Sequence, residues 1–361
     1  MTFGESGGHN EMSMRDVRIP VEEGVLLHVV AWQRDGAGQP GAAPKTAEDG
    51  TAVGGTTSSH LPYVLVHGLA SNARLWDGVA RRLSDAGSQV AAVDLRGHGL
   101  SGKPDAGYDF ATIDEDLRAV IRSLGFERPV LVGQSWGANV VLDFAVRHAD
   151  LIRGFVAVDG GLSDMQDPFP TWEECWGRLA PPRLVGLPLT QIEGYIRGAH
   201  TDWPEEGIRG TLANFELRGD GTIAPWLTRE RHAAVLRSLW AHRPSELWPA
   251  LRVPAIIVPA DTGDGEWTTR KRRAVDVAEA AARSSGVPVR VAWFRADHDI
   301  HAQHPDELVA LLLEAERDGF FAGLPRASST REAEPSTTHP AEADPSTAGP
   351  AAAATSGGAV A

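Results

Sequence analysis

The pentapeptide Gly133-Gln134-Ser135-Trp136-Gly137 constrains this chain more than any other stretch. Before it runs Pro129-Val130-Leu131-Val132, an apolar, β-branched segment that predicts a buried strand. After it, from Ala138 to His148, Val141, Leu142, Ala145 and Val146 recur at helical spacing. A strand, a glycine turn with serine at its tip and then a helix form a nucleophile elbow. The serine there takes a strained backbone so that its hydroxyl stands above the sheet, and the flanking glycines let strand and helix approach closely. The helix start just after Ser135 also aims backbone N–H groups at any developing anion. The five residues alone fit equally well a glycine-rich turn carrying a solvent serine, so the rest of the chain must decide.

With 361 residues, 42% of them hydrophobic, the chain can bury a sizeable core as one large or two ordinary domains. Its formal net charge of −14 argues against nucleic acid as a partner. No apolar run is long enough to cross a bilayer, and the first residues lack the basic and apolar regions of a secretory signal. Cys175 is the one cysteine, which precludes an intrachain disulfide and fits a reducing cytoplasm. Between Trp172 and Trp176 it reads as a small buried hydrophobe rather than a nucleophile.

In chain order, residues 1–13 are polar and glycine-rich and are expected to be disordered. Asp16 to Trp32 alternates around Glu22-Glu23-Gly24 as a β-hairpin, and 35–60 reads as a flexible insertion. Strands at Tyr63–Val66, Val90–Val93, the elbow strand and Gly154–Val158 alternate with helices at Ala73–Ala86, Phe110–Leu124 and after the elbow. That order predicts an α/β fold, a mainly parallel sheet flanked by helices, with the loops after the strands meeting along one edge. From 162 to 251 the alternation stops. No strand pattern recurs there, and Trp172, Trp176, Trp203, Trp226, Trp240 and Trp248 fall within it. It reads as an inserted helical cap in which a minority of the tryptophans wall an apolar pocket. Alternation resumes over 252–320 with the strand Ala255–Val258, a helix from Trp267 to Arg283, the strand Val289–Phe294 and a helix begun by Pro305. The Pro-, Ala- and Ser-rich stretch 323–361 is expected to be disordered.

His67-Gly68 after the third strand, Asp94-Leu95-Arg96-Gly97-His98-Gly99-Leu100-Ser101 after the fourth, the elbow, and Asp297-His298 before Pro305 together resemble the α/β-hydrolase fold family. The resemblance spans about Asp16 to Asp318 and implies an eight-stranded type of sheet. It implies that Ser135 is the nucleophile and His298 its base, with Asp297 where the family often has glycine. It implies an oxyanion hole of the Leu69 and Trp136 backbone N–H groups, whose side chains are free to line the pocket. The orienting acid has alternatives. Family members usually carry it after the strand Ala255–Val258, where alignment falls on Gly263 between Asp261 and Asp264. Others carry it after the preceding strand, at Asp159. His301 and His304 are expected to be structural, and Arg96 to tie its loop to the sheet edge.

These readings imply a serine hydrolase acting through an acyl-enzyme on a small to medium, mostly apolar ester, thioester, lactone or amide, a small molecule being its partner. No H-E-x-x-H or paired histidine spacing suggests a metal, and no G-x-G-x-x-G follows the first strand, so no cofactor is expected. Serine at the elbow argues against epoxide hydrolases and haloalkane dehalogenases, which resemble this family but use aspartate there. Carbon–carbon bond hydrolysis, perhydrolase chemistry and a non-catalytic ligand receptor on the same scaffold are the alternatives.

Overall fold

A computed structural model describes residues 12–34, 60–263 and 265–322. The strands are β1 (Met12–Glu22), β2 (Val25–Arg34), β3 (Tyr63–Val66), β4 (Val90–Val93), β5 (Val130–Gln134), β6 (Gly154–Val158), β7 (Phe215–Leu217), β8 (Ile223–Pro225), β9 (Ala255–Val258) and β10 (Val289–Val291). The helices are α1 (Asp77–Asp85), α2 (Phe110–Leu124), α3 (Trp136–Arg147), α4 (Trp172–Leu179), α5 (Leu189–Ala199), α6 (Glu205–Leu212), α7 (Arg229–Ala241), α8 (Pro244–Leu247), α9 (Glu266–Ser284), α10 (Ile300–Gln303) and α11 (Pro305–Arg317).

Eight strands form one sheet in the order β1-β2-β4-β3-β5-β6-β9-β10. The pairs β1/β2 and β2/β4 are antiparallel and the rest parallel. Helices cover both faces, so the central strands are buried throughout. Alternate residues feed two cores. Val64, Val66, Ala91, Val93 and Leu131 pack with α2, α3 and α9, while Tyr63, Leu65, Val90, Ala92 and Val132 pack with α1 and α11. On α2 the inward face is Ile113, Leu117, Val120, Ile121 and Leu124, with Asp109 capping its first turn and Gly125 ending it in the left-handed region. Burying each such side chain contributes about 1.5–3 kcal/mol.

Register sets the functional edge. Val66 pairs with Gly133, Gln134 with Val158, and Val158 with Val258. The carboxyl ends of β5, β6 and β9 are therefore level, with β3 ending one residue short of β5, and Ser135, Asp159 and Pro259 follow side by side next to His67.

Between β6 and β9, α4 and α7 bring Trp172, Trp176 and Trp240 against the α2/α3 core. Helices α5 and α6 build a separate cluster of Ile192, Ile196, Trp203, Ile208 and Ile223 with Leu75 and Ala302. Gly210 of α6 lies so close to the turn before α1 that an added Cβ would sit 2.7 Å from Leu75 Cα, and Asn72 Nδ2 donates to Gly210 O at 2.9 Å.

The structure differs from several expectations. The 162–251 stretch does contain strands, the hairpin β7/β8, whose three-residue arms are too short for a period of two to register. Met12 and Ser13 are not loose residues, since they pair with Arg34 and Gln33 in β1. The remainder of 1–13, nearly all of 35–60 and 323–361 lie outside the described residues. The segment Ala73–Ala86 divides into a 3-10 turn, Ala73–Trp76, which Asn72 caps by accepting from Arg74 N, and α1. Strand β10 ends at Val291, and Phe294 rejoins the sheet through a single bridge to Ala260.

Candidate active site

Ser135 connects β5 to α3 with φ of 54° and ψ of −118°, a conformation that costs a non-glycine residue on the order of 1–3 kcal/mol. Tertiary contacts hold it there. Its N–H donates to Val158 O at 2.9 Å and its carbonyl accepts from Ala138 N at 3.0 Å. A Cβ on Gly133 would lie 2.1 Å from Gly137 O, and one on Gly137 would lie 2.4 Å from Val66 O. The elbow thus needs both glycines for close backbone approach. Gly68 also lies against it, since an added Cβ would meet Ser135 Cβ at 3.1 Å.

His298 stands on the loop between β10 and α10. The loop is tied to the elbow strand by Gln134 Nε2, which donates to His298 O at 3.1 Å. It is tied to the insertion by Trp203 Nε1, which donates to Asp297 Oδ2 at 2.9 Å. His298 Nδ1 is 2.7 Å from Asp159 Oδ2. Ser135 and His298 line one cavity of about 160 Å³.

Asp159, directly after β6, has φ of 44° and its side chain is 3% exposed. Its Oδ1 accepts from Ala260 N at 2.9 Å and pairs with Lys271 Nζ at 2.7 Å. Burial pushes the Asp159 carboxyl up, but the His298 hydrogen bond, the His298 charge and Lys271 together hold it below the ordinary carboxylate value. For His298, desolvation disfavours the charged ring although 55% of the side-chain surface is open to solvent. The Asp159 hydrogen bond and the charges of Asp299 and Asp159 outweigh desolvation and the opposing charge of Lys271, so its pKa is raised. Asp299, also at the cavity, is pushed up chiefly by burial.

Of the acids considered, Asp159 meets the histidine. The Asp261 carboxylate is occupied elsewhere, by Arg272 at 2.7 Å and by the Gly263 N–H at 3.0 Å. The reason is local: Asp261 N bonds to Phe294 O, and the loop then turns toward α9. Asp264 lies outside the described residues.

Leu69 lines the cavity, but the Trp136 indole does not. It is 1% exposed and stacks on His98 with ring centroids 5.3 Å apart, leaving only its backbone near Ser135. Of the tryptophans in the insertion, Trp203 alone lines this cavity. Trp172, Trp176 and Trp240 pack on one another, and Trp248 donates to Gly161 O. The expected apolar walls are replaced by a mixed lining in which Ser71, His200, Thr211 and Asn214 stand beside Leu75 and Trp203.

His67 braces the site. Nδ1 lies 2.7 Å from Gly68 O and Nε2 accepts from Leu95 N at 3.0 Å, a neutral tautomer that burial favours. Arg96 ties its loop to α2 through a two-point pair with Asp116 at 2.6 and 2.7 Å, and its Nη1 lies 3.5 Å from Glu22 Oε1 at the end of the edge strand β1. His301 is fully buried against Trp76, and Cys175 is buried. Gln134 and Lys271 were not singled out by the sequence. Gln134 fills a variable position of the elbow pattern and Lys271 sits in none, and both act across more than 100 residues.

A sequence profile of the alpha/beta hydrolase family matches residues 63–311. The chain belongs to the alpha/beta hydrolase family. It is an enzyme of hydrolase type. A 2-(acetamidomethylene)succinate hydrolase of Mesorhizobium japonicum is 30% identical over 199 residues, covering 54% of this chain and 69% of that protein. Epoxide hydrolase A of Mycobacterium tuberculosis is 38% identical over 307 residues, covering 72% of this chain and 90% of the relative. Other curated relatives are matched over less than half of their length. The crystal structure of an E-2-(acetamidomethylene)succinate hydrolase shares the fold, with a TM-score of 0.63 at 22% identity over 84% of this chain and 98% of that one. Among the described residues no helix is long and apolar enough to cross a membrane.

Proposed function

We propose that this hydrolase uses Ser135 as nucleophile, His298 as general base and Asp159 as the orienting acid, and that it cleaves a small ester or thioester through an acyl-enzyme. The observation that carries the reading is the 2.7 Å contact of His298 Nδ1 with Asp159 Oδ2 at the cavity that Ser135 also lines. Asp159 holds the Nδ1–H tautomer and stabilises the imidazolium, which leaves Nε2 to take the Ser135 proton as Oγ attacks the acyl carbon. The oxyanion then meets the N–H groups of Leu69 and Trp136, each such donor being worth about 3–4 kcal/mol. The Nε2 proton passes to the leaving group, and His298 next activates the water that releases the acid.

A cavity of about 160 Å³ suits a compact acyl group. Ser71 Oγ at its wall is buried without a hydrogen-bond partner, which favours an acyl chain bearing a polar atom. Among the described residues no lysine or arginine lines it, while Asp299 does, so a dicarboxylate of the kind named in the Mesorhizobium relative would find no lysine or arginine to pair with there. We therefore assign a neutral acyl group. Serine at position 135 separates the reading from the epoxide hydrolase relatives, since epoxide opening in this fold resembles the aspartate-nucleophile pattern.

A fluorophosphonate probe should label the wild type and not Ser135→Ala. Among p-nitrophenyl esters, acetate should turn over faster than hydrogen succinate by tenfold or more, roughly what one unpaired charge contributes. Labelling that persists in the alanine variant ends the serine proposal.

A further inference from the structure

Asp159 is served by two oxygens with different duties. Oδ2 meets His298, whereas Oδ1 is held by the Ala260 N–H and the Lys271 ammonium, and Lys271 also donates to Ala260 O at 2.9 Å. Lys271 belongs to α9, the helix that follows the loop where the resembled family usually carries its acid. Here that region supplies a cation instead. The Lys271 side chain is 23% exposed and Asp159 3%, so the pair sits where solvent screens it poorly.

We propose that Lys271 is a positioning residue for the catalytic pair: its ammonium anchors Oδ1 so that Oδ2 is presented to His298, and it sets a full positive charge behind the carboxylate. The inference rests on the assignment of Asp159 and His298 as catalytic partners. The charge has a consequence for the base. An ammonium one carboxylate away from the ring opposes its protonation and keeps more of the imidazole free at neutral pH. The acidic groups acting on the ring are Asp159 after β6 and Asp299 on its own loop; the buried His301 of α10 also faces it, whereas Asp297 is turned to Trp203 Nε1 and lies 3.5 Å from His200 of the insertion. Lys271 is thus the counterweight to two carboxylates. Without it, the Ala260 N–H alone would hold Oδ1, and His298, still paired with Oδ2, would hold its proton to higher pH.

The test is the titration of His298, followed by nuclear magnetic resonance of histidine-labelled full-length protein. The ring is assigned by its absence from His298→Gln. Lys271→Met should move the His298 midpoint up by about half to one pH unit, and Lys271→Arg should leave it near the wild-type value. The acid limb of fluorophosphonate labelling should move by the same amount, so that labelling below the midpoint falls about three- to tenfold. A helix clamp without electrostatic influence would lower labelling equally at every pH and leave the midpoint in place, and that result overturns the proposal. Lys271→Gln keeps a donor for Ala260 O but no charge. It should shift the midpoint as the methionine variant does, and it decides the matter if that variant fails to fold. The titration is repeated in Ser135→Ala, where no turnover is needed. Loss of all labelling in the wild type would therefore refute the serine mechanism while the midpoint still judged Lys271.

Discussion

Gly160→Ala probes whether the β6 loop and the elbow form one rigid unit. Gly160 follows Asp159, and an added Cβ would lie 2.2 Å from Ser135 O, 2.6 Å from Ser135 Cα and 2.7 Å from Ser135 C. Ordinary contact begins near 3.4 Å, and all three neighbours are backbone atoms, so no rotamer relieves the overlap. Gly160 is not in the left-handed region, which leaves the effect purely steric. Overpacking of this kind costs about 1–3 kcal/mol. At about 2–4 °C per kcal/mol for a domain of this size, thermal melts should fall by about 2–12 °C. Relief requires Ser135 to move by about 1 Å, and a displacement of that size costs catalysis about 10²-fold. Fluorophosphonate labelling rate and circular-dichroism melts measure the two effects. Gly177→Ala is the control: it sits in α4 with open space around it and should be neutral or stabilising by up to about 1 kcal/mol. A Gly160→Ala protein with wild-type melting and labelling would refute the close apposition of β6 loop and elbow.

Two further outcomes are expected. Asp159→Asn should reduce labelling about 10³–10⁴-fold by removing the carboxylate that His298 needs, whereas Asp261→Asn should stay within about twofold; the reverse order would move the acid to the Arg272-paired residue. Burial and then the neighbouring Asp143 charge push the Asp114 carboxyl up, so the folded protein keeps a proton that the unfolded chain releases above the ordinary carboxylate range. Stability from this group therefore falls as pH rises from that range toward the raised value, and Asp114→Asn should gain on the wild type by up to about 1.4 kcal/mol per pH unit there. Urea melts at several pH values that run parallel for the two proteins would contradict it.

The elbow was legible because each of its demands is local: a β-branched strand, two glycines and a helical face within a score of residues. The serine, the histidine loop and the alternation of strands and helices carried the family resemblance for the same reason. The short hairpin β7/β8 escaped because six paired residues are too few for periodicity to show. The polar cavity escaped as well. A tryptophan-rich segment suggests aromatic walls, yet the half-buried Trp172, Trp176 and Trp240 pack on one another and do not line the cavity that Trp203 reaches.

By itself the sequence determined the layered α/β architecture and the two groups that share the cavity, because propensity, pattern and turn chemistry are written along the chain. Only the tertiary structure shows which carboxylate reaches His298, since Asp159 and Asp261 follow neighbouring strands and strand register and loop direction bring Asp159 to it and Asp261 to Arg272. It also supplied the Lys271 anchor and the mixed lining of the cavity. Those depend on which side chains converge from distant elements, and convergence in space leaves no local trace in the order of residues.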